Sequence, residues 1–310
     1  MTTPTARIET MGARLHAVIV TYNPDLAGFT QVLANLARQV ERVSIIDNGS
    51  ANIQALETLA AAHAARLTRF PENRGIAAAQ NQGIADAAAQ SADYVLLMDQ
   101  DTVLPDGTAA SLLQDSIDLA NQGVRIGAVG CAYRDTHDGR LTQIWRARGL
   151  LLRRQRVHPG DPRLQEVDCV IASGSLIPMA TLRAVGDMEA DLFIDLVDIE
   201  WGLRAKSLGY RSFVSFNRIM AHTLGNGRLK LFGKTISVHS PIRNYYSIRN
   251  SIMLARRDYI GIAWRLYFIR RIIPYFIVFG LFGGQTKSRL RMMTRGLLDS
   301  LRARTGGLGR

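Results

Sequence analysis

Four short apolar segments, LHAVIVT (15–21), RVSIID (42–47), RLTRF (66–70) and DYVLLMD (93–99), alternate with stretches rich in Ala, Leu and Gln. The intervening LAGFTQVLANLARQ, NIQALETLAAAHAA and IAAAQNQGIADAAAQ contain no proline and read as helices. Strand and helix in strict alternation is the signature of βαβ units, which predicts an α/β domain built on a mostly parallel sheet. Each segment exits into a polar, turn-forming stretch: TYNPD, DNGS, PENRG and DQDT in turn. In an open parallel sheet the ligand crevice lies beyond the carboxyl ends of the strands, so four such exits predict one site assembled there. Turn chemistry accounts for the Asn and Gly residues. It does not account for three carboxylates, Asp47, Asp99 and Asp101, on one edge.

The fourth exit, YVLLMDQDT (94–102), drives a buried run into two carboxylates one residue apart. Like charges this close raise each other's pKa or call for a cation between them. A D-x-D at a strand end can hold one Mg²⁺ or Mn²⁺ and leave coordination positions for water and phosphate oxygens. Such an ion would neutralise a diphosphate leaving group. The plainer reading makes Asp101 a turn carboxylate or a helix N-terminal charge.

Downstream, RIGAVGCAYRD reads as a strand, WRARGLLLRRQRVHPGDPR as irregular, VDCVIASGSLIPM as an apolar segment leading to a helix near Thr181, and SFVSFNRIMAH as a strand. With 310 residues, the chain can form one large domain with an appendage or two small ones. Cys131 and Cys169 stand alone, which argues against a disulfide framework or a zinc site. No basic start followed by a long apolar core opens the chain, so the expectation is a cytoplasmic protein.

Residues 1–200 carry 17 Lys and Arg against 24 Asp and Glu, net −7, whereas residues 201–310 carry 21 against 2, net +19. That asymmetry points the C-terminal part toward an acidic partner: membrane phospholipid, nucleic acid or a phosphorylated substrate. The apolar run 272–284 has 13 residues, short of the about 20 that a spanning helix needs. Arg interleaved with Trp, Tyr and Phe suits a segment lying on an anionic membrane surface. No helix-turn-helix, RNA-recognition or zinc-finger pattern is present, which argues against nucleic acid. The first strand lacks a G-x-G-x-x-G turn, which argues against a dinucleotide oxidoreductase.

VIVTYN, IDNGS, ENRGIAAAQNQGI and LLMDQDT, followed by ASGSLI, FIDLVDIEWGLRAKSLGYR and HTLGN, resemble an inverting family 2 glycosyltransferase of the GT-A fold. Within that family they resemble the bacterial rhamnosyltransferases that use dTDP-L-rhamnose. The motifs cover about residues 15–230, and SPIRNYYSIRNSIMLARRDY resembles the same subgroup's C-terminal region. The resemblance implies a nucleotide-sugar-binding and catalytic domain over 1–235, followed by a basic, membrane-associating helical tail over 236–310. It implies that Thr21, Tyr22 and Asp47 line a base pocket, that Asn73, Arg74 and Gly75 lie near ribose and diphosphate, and that Gly174 and Ser175 lie near the donor sugar. Asp99 is expected at the ribose or the metal's water shell, and Asp101 as the direct ligand of Mg²⁺ or Mn²⁺. His222 matches the place from which some relatives supply a further ligand.

An inverting displacement needs one carboxylate to take the acceptor's proton. Asp198 matches the family's base position. Asp195 is the reserve candidate, because many relatives read Glu-Asp where this chain has Val197-Asp198. Glu200 and Arg204 are spaced to pair along a helix, and Trp201 is a candidate sugar-stacking ring. The implied reaction moves L-rhamnose from dTDP-β-L-rhamnose to a hydroxyl of a glycan linked to polyprenyl diphosphate. A UDP-linked galactofuranose or N-acetylglucosamine donor is the alternative, and self-association is left open.

Overall fold

A computed structural model describes residues 12–137, 139–158, 160–222, 227–231 and 234–308. The N-terminal residues bearing on a leader, and residues 223–226 of the HTLGN motif, lie outside the described residues. The first half runs β1 (Leu15–Thr21), α1 (Leu26–Leu36), β2 (Arg42–Asp47), α2 (Ile53–Ala62), β3 (Arg66–Arg69), α3 (Ile76–Ala89), β4 (Tyr94–Asp99), α4 (Thr108–Asn121) and β5 (Ile126–Asp135). The chain continues through β6 (Ile144–Arg148), β7 (Leu151–Gln155), β8 (Leu164–Val167), β9 (Ser175–Pro178), α5 (Met179–Val185), α6 (Val197–Ser207) and β10 (Arg211–His222). It ends with β11 (Gly227–Leu231), β12 (Lys234–Val238), α7 (Pro241–Ala255), α8 (Ile262–Arg270), α9 (Ile272–Ile277) and α10 (Thr286–Leu301).

Eight strands form the central sheet in the order β3-β2-β1-β4-β9-β5-β10-β8. The first four are mutually parallel, and β9 enters antiparallel between β4 and β5. Both faces are covered, which is why β1 and β4 read as continuous apolar runs. Leu15, Ala17 and Ile19 of β1 pack under α1, α2 and α4, with Phe29, Leu33 and Leu56. Val18, Ile46, Val95 and Leu97 meet α3, α5, α6 and α8 on the other face, with Ile84, Leu182, Trp201 and Trp264. Gly83 lets α3 sit close on that face, since a Cβ there would fall 2.2 Å from Val18 Cγ1.

Register decides what the strand ends present. Thr21 pairs with Asp47, and Val20 with Asp99, so β1, β2 and β4 end together and their exits share one edge. The 145–163 stretch, expected as irregular, instead carries the antiparallel β6–β7 hairpin, and the edge strand β8 follows it directly. The β7 strand leaves most of its Arg-rich face in solvent, so no apolar alternation marks it.

The C-terminal helices are joined to the central sheet and its helices through α7, which is buried despite its polarity. Asn250 donates through Nδ2 to the carbonyls of Leu192, Ile194 and Asp195 at 3.0, 2.8 and 2.9 Å. Arg249 donates to the carbonyls of Asp191 and Leu192, both at 2.9 Å, and lies 4.9 Å over the Tyr246 ring. These donors hold a strained segment in which Phe193, Asp195 and Leu196 have φ of 65, 66 and 66°. Such residues cost roughly 1–3 kcal/mol each unless their surroundings fix them. Here α7 supplies the fixing groups, and α6 starts immediately afterwards.

Candidate active site

A cavity of about 640 Å³ opens at the carboxyl edge of β1, β2 and β4, within the size range of small-ligand sites. Its wall includes Tyr22, Asn73, Gly75, Asp99, Asp101, Asp195, Asp198 and His222, so the structure brings eight expected residues to one place. Tyr22 is 49% exposed and presents a flat ring at the rim. Gly75 has φ of +88°, and a Cβ there would stand 2.6 Å from the Phe193 carbonyl, so only glycine fits this part of the wall.

Other expected residues do not line this cavity. Thr21 and Asp47 are fully buried beneath it: Thr21 Oγ1 donates to Asp47 at 3.0 Å, and the Ser50 amide donates at 2.9 Å. Asp47 therefore shapes the β2 exit, its oxygens taken by the turn that follows. Arg74 lays its guanidinium 4.9 Å over the Phe70 ring, while its amide donates to Asn48 Oδ1. Gly174 faces Met220 and Cys131, and Ser175 lines a smaller neighbouring pocket. From ASGSLI it is Ala172 and Ser173 that reach the cavity, the Ser173 hydroxyl accepting from the Asp99 amide at 3.3 Å. Trp201 is in the core with its indole N–H on the Gly186 carbonyl at 2.9 Å, which excludes it from stacking on a sugar. Glu200, fully buried, takes Arg204 at 2.8 Å and the Tyr259 hydroxyl at 2.6 Å.

The charges of the cavity are unequal. Asp99 has its pKa raised to about 6, first by burial and then by the charge of Asp101, with Arg243 partly offsetting both. Asp198, in the first turn of α6, is also raised to about 6, by burial and secondarily by Asp99, while backbone N–H groups of Ile199 and Ala172 favour its ionised form. Asp195 accepts both arms of the Arg243 guanidinium, which ties up its basic oxygens. His222 is buried, held below its ordinary pKa by that burial, and shares a 2.8 Å hydrogen bond with Thr102 through Nδ1.

Among the described residues, no three His, Cys, Asp or Glu side chains form a ready-made metal cage. A hard divalent ion does not require one, since Mg²⁺ is commonly bound by one or two carboxylates together with water and substrate phosphates. Burial and, after it, the charge of Asp101 raise Asp99, with Arg243 only partly offsetting them, and a cation beside the pair would favour its ionised form.

Three wall residues were not apparent from the sequence. Gln100 stands between the two aspartates and accepts from the Tyr22 amide at 2.8 Å, fixing the β4 exit to the β1 exit. Asn48 holds the third exit through Arg74, and Arg243 arrives from α7, far away in the chain. Only the position of Gln100 inside D-x-D could have signalled any of them.

The model of the "Glycosyl transferase family 2" family matches residues 17–173. A dTDP-rhamnosyl transferase, RfbF of Shigella flexneri, is 30% identical over 302 residues, covering 96% of this chain and 98% of that one. Among solved structures, S. aureus TarS aligns with a TM-score of 0.56 at 14% identity, over 94% of this chain and 49% of TarS. A TarS 1–349 complex with UDP-GlcNAc gives 0.56 at 15% identity, over 94% and 81%. GalNAc-T7 with UDP, GalNAc and Mn²⁺ gives 0.55 at 12% identity, over 86% and 57%, so this chain spans about half the length of full TarS and somewhat more of GalNAc-T7. The GT-A expectation for the fold is met, and the chain belongs to glycosyltransferase family 2.

Proposed function

We propose that the chain transfers L-rhamnose from dTDP-β-L-rhamnose to a hydroxyl of a lipid-linked glycan, with inversion. The observation that carries the chemistry is the placement of Asp198, a half-buried carboxylate with a pKa of about 6, in one cavity with Asp99 and Asp101. The choice of sugar rests on the identity to the Shigella protein across nearly the whole chain.

In this reading the nucleotide enters beside Tyr22 and Asn73, and its diphosphate lies toward Asp101 and Arg243. Mg²⁺ or Mn²⁺, held by Asp101 with Asp99 and His222 nearby, would supply neutralisation of the departing diphosphate. Asp198 takes the proton from the acceptor hydroxyl as that oxygen bonds to the anomeric carbon. The anomeric carbon's bond to the diphosphate oxygen breaks, and its electron pair leaves on dTDP. Asp195 keeps the 193–196 segment docked against Arg243 and is not the base. A pKa near 6 leaves Asp198 mostly ionised at neutral pH, as a base requires.

The membrane part of the reading is supported by one surface. No helix among the described residues is long and apolar enough to cross a membrane. Yet Ile262, Leu266, Ile269, Ile273, Ile277 and Leu281 are all exposed, with Ile273 at 71%, and they recur every three or four residues along α8, α9 and the π-helical turn after it. That spacing draws one apolar stripe along a helical path. With Arg265, Arg270 and Arg271 on the same path, the stripe suits peripheral attachment to an anionic leaflet, the inner face of the cytoplasmic membrane. Residues 236–310 then serve both to buttress the active-site segment and to attach the enzyme.

Calorimetric titration of dTDP-rhamnose against UDP-galactofuranose and UDP-N-acetylglucosamine tests the donor. Tighter binding of the dTDP sugar by at least tenfold is expected, and preference for a UDP sugar would replace the assignment.

A further inference from the structure

A second cavity, of about 200 Å³, adjoins the first. Asp198 and Ile171 belong to the walls of both cavities. Four aromatic rings line the second one: Tyr133 of β5, Trp145 of β6, and Trp264 and Tyr267 of α8. Trp145 packs 5.5 Å from Tyr267 and 6.4 Å from Trp264 by ring centroids, and Arg154 lies 5.3 Å over the Trp145 ring. Trp264 is locked by its indole N–H on Asp168 at 2.7 Å. The hairpin that sequence patterning missed therefore has a use, since β6 carries Trp145 of the wall and β7 backs that ring with Arg154.

Two observations limit what can occupy this space. Gln143 Oε1 is buried and has no hydrogen-bond partner, although Gln143 lines the cavity. A buried acceptor left unmet costs about 1–3 kcal/mol, so its occupant is expected to bring a donor. The lining contains no Lys or Arg, which disfavours a phosphate. An aliphatic lipid tail would fill the aromatic box but leave Gln143 unmet. A pyranose offers both an apolar C–H face and a rim of hydroxyls. An apolar cavity of about 150 Å³ holds benzene, so the space here matches one six-membered ring with its substituents, not an oligosaccharide.

We propose that this aromatic cavity is the acceptor subsite, that it takes a single pyranose stacked against Trp145, and that Gln143 Oε1 accepts one of that sugar's hydroxyls. The proposal deepens the glycosyltransferase reading and rests on it. Because Asp198 belongs to the walls of both cavities, the reacting hydroxyl of a sugar in this subsite meets the base where the two cavities adjoin.

The test measures dTDP release from dTDP-rhamnose with Mn²⁺, alone and with octyl glycosides of rhamnose, N-acetylglucosamine, galactose and glucose as acceptors. At least one glycoside is expected to raise release above the rate due to water. With that glycoside, Trp145→Ala is expected to raise the acceptor KM about ten- to hundredfold, as loss of an aromatic anchor does. Trp145→Phe should recover most of the loss, and Gln143→Leu should raise the acceptor KM about fivefold or more. The donor KM should stay within about twofold in all three. Stimulation by no glycoside, an unchanged acceptor KM, or equal shifts in donor and acceptor KM would each overturn the subsite. Failure of the underlying reading looks different: no dTDP is released under any condition, even by water.

Discussion

Asp198→Asn should stabilise the protein while disabling it. Burial lifts the Asp198 pKa from 3.8 to about 6, so the folded state binds this proton more tightly than the unfolded state does. The stability this linkage provides is complete below about pH 4 and is lost as pH rises through about 6. Above that, ionised Asp198 lowers stability by about two pH units at ~1.4 kcal/mol each, roughly 3 kcal/mol as a ceiling. Asparagine keeps the shape and a hydrogen-bonding oxygen without the charge. Unfolding entropy of about 2.1 cal/mol/K per residue makes 1 kcal/mol worth roughly 1.5 °C in a chain of this size, so the variant should melt about 3–5 °C higher at pH 8. Scanning calorimetry in EDTA should give that gain at pH 8 and a much smaller one at pH 4. Turnover at pH 8 should fall about 10²- to 10⁴-fold, the usual contribution of a positioned base. A variant that melts no higher at pH 8 refutes the buried-charge reasoning, and one that turns over at the wild-type rate refutes the role of Asp198.

Wild-type activity should rise with pH through about 6 as Asp198 ionises, and a kcat/KM profile flat from pH 5 to 8 would speak against a base with that pKa. Asp101→Ala should reduce transfer about 10²-fold or more and abolish its response to added Mn²⁺; a metal response of wild-type size would remove Asp101 as ligand. Asn250→Ala strips three carbonyls of the strained segment of their donor, which should lower stability by roughly 2–4 kcal/mol in urea unfolding. Ile273→Asp with Ile277→Asp should cut co-sedimentation with phosphatidylglycerol vesicles at least tenfold, and undiminished sedimentation would locate the membrane face elsewhere.

The first four strands and three helices were legible because each strand is buried on both faces and each helix is free of breakers, so local pattern and tertiary environment agree. The carboxylates Asp99, Asp101 and Asp198 were legible as a group because strand register delivers the first two to an edge and the Asp195–Asp198 stretch precedes a helix. What was not legible depends on distant partners. Asp47 looks like a ligand residue by position, but its oxygens close the turn at Gly49 and Ser50. Asp195, the reserve base candidate, is paired with Arg243, a partner 48 residues on that no local pattern signals. The +19 of the last third overstates the basic surface, since Arg249 and Arg289 are buried with their guanidinium groups on backbone carbonyls. Three of the four rings of the second cavity, Trp145, Trp264 and Tyr267, are aromatics that sequence alone read as irregular chain or membrane surface.

The most direct test of the central claim is the product itself. The purified chain, given dTDP-β-L-rhamnose, Mn²⁺ and an accepted glycoside, should form one new linkage, and its anomeric coupling in NMR should identify α-rhamnose. A β-linked product, or transfer only from a UDP sugar, would contradict the account.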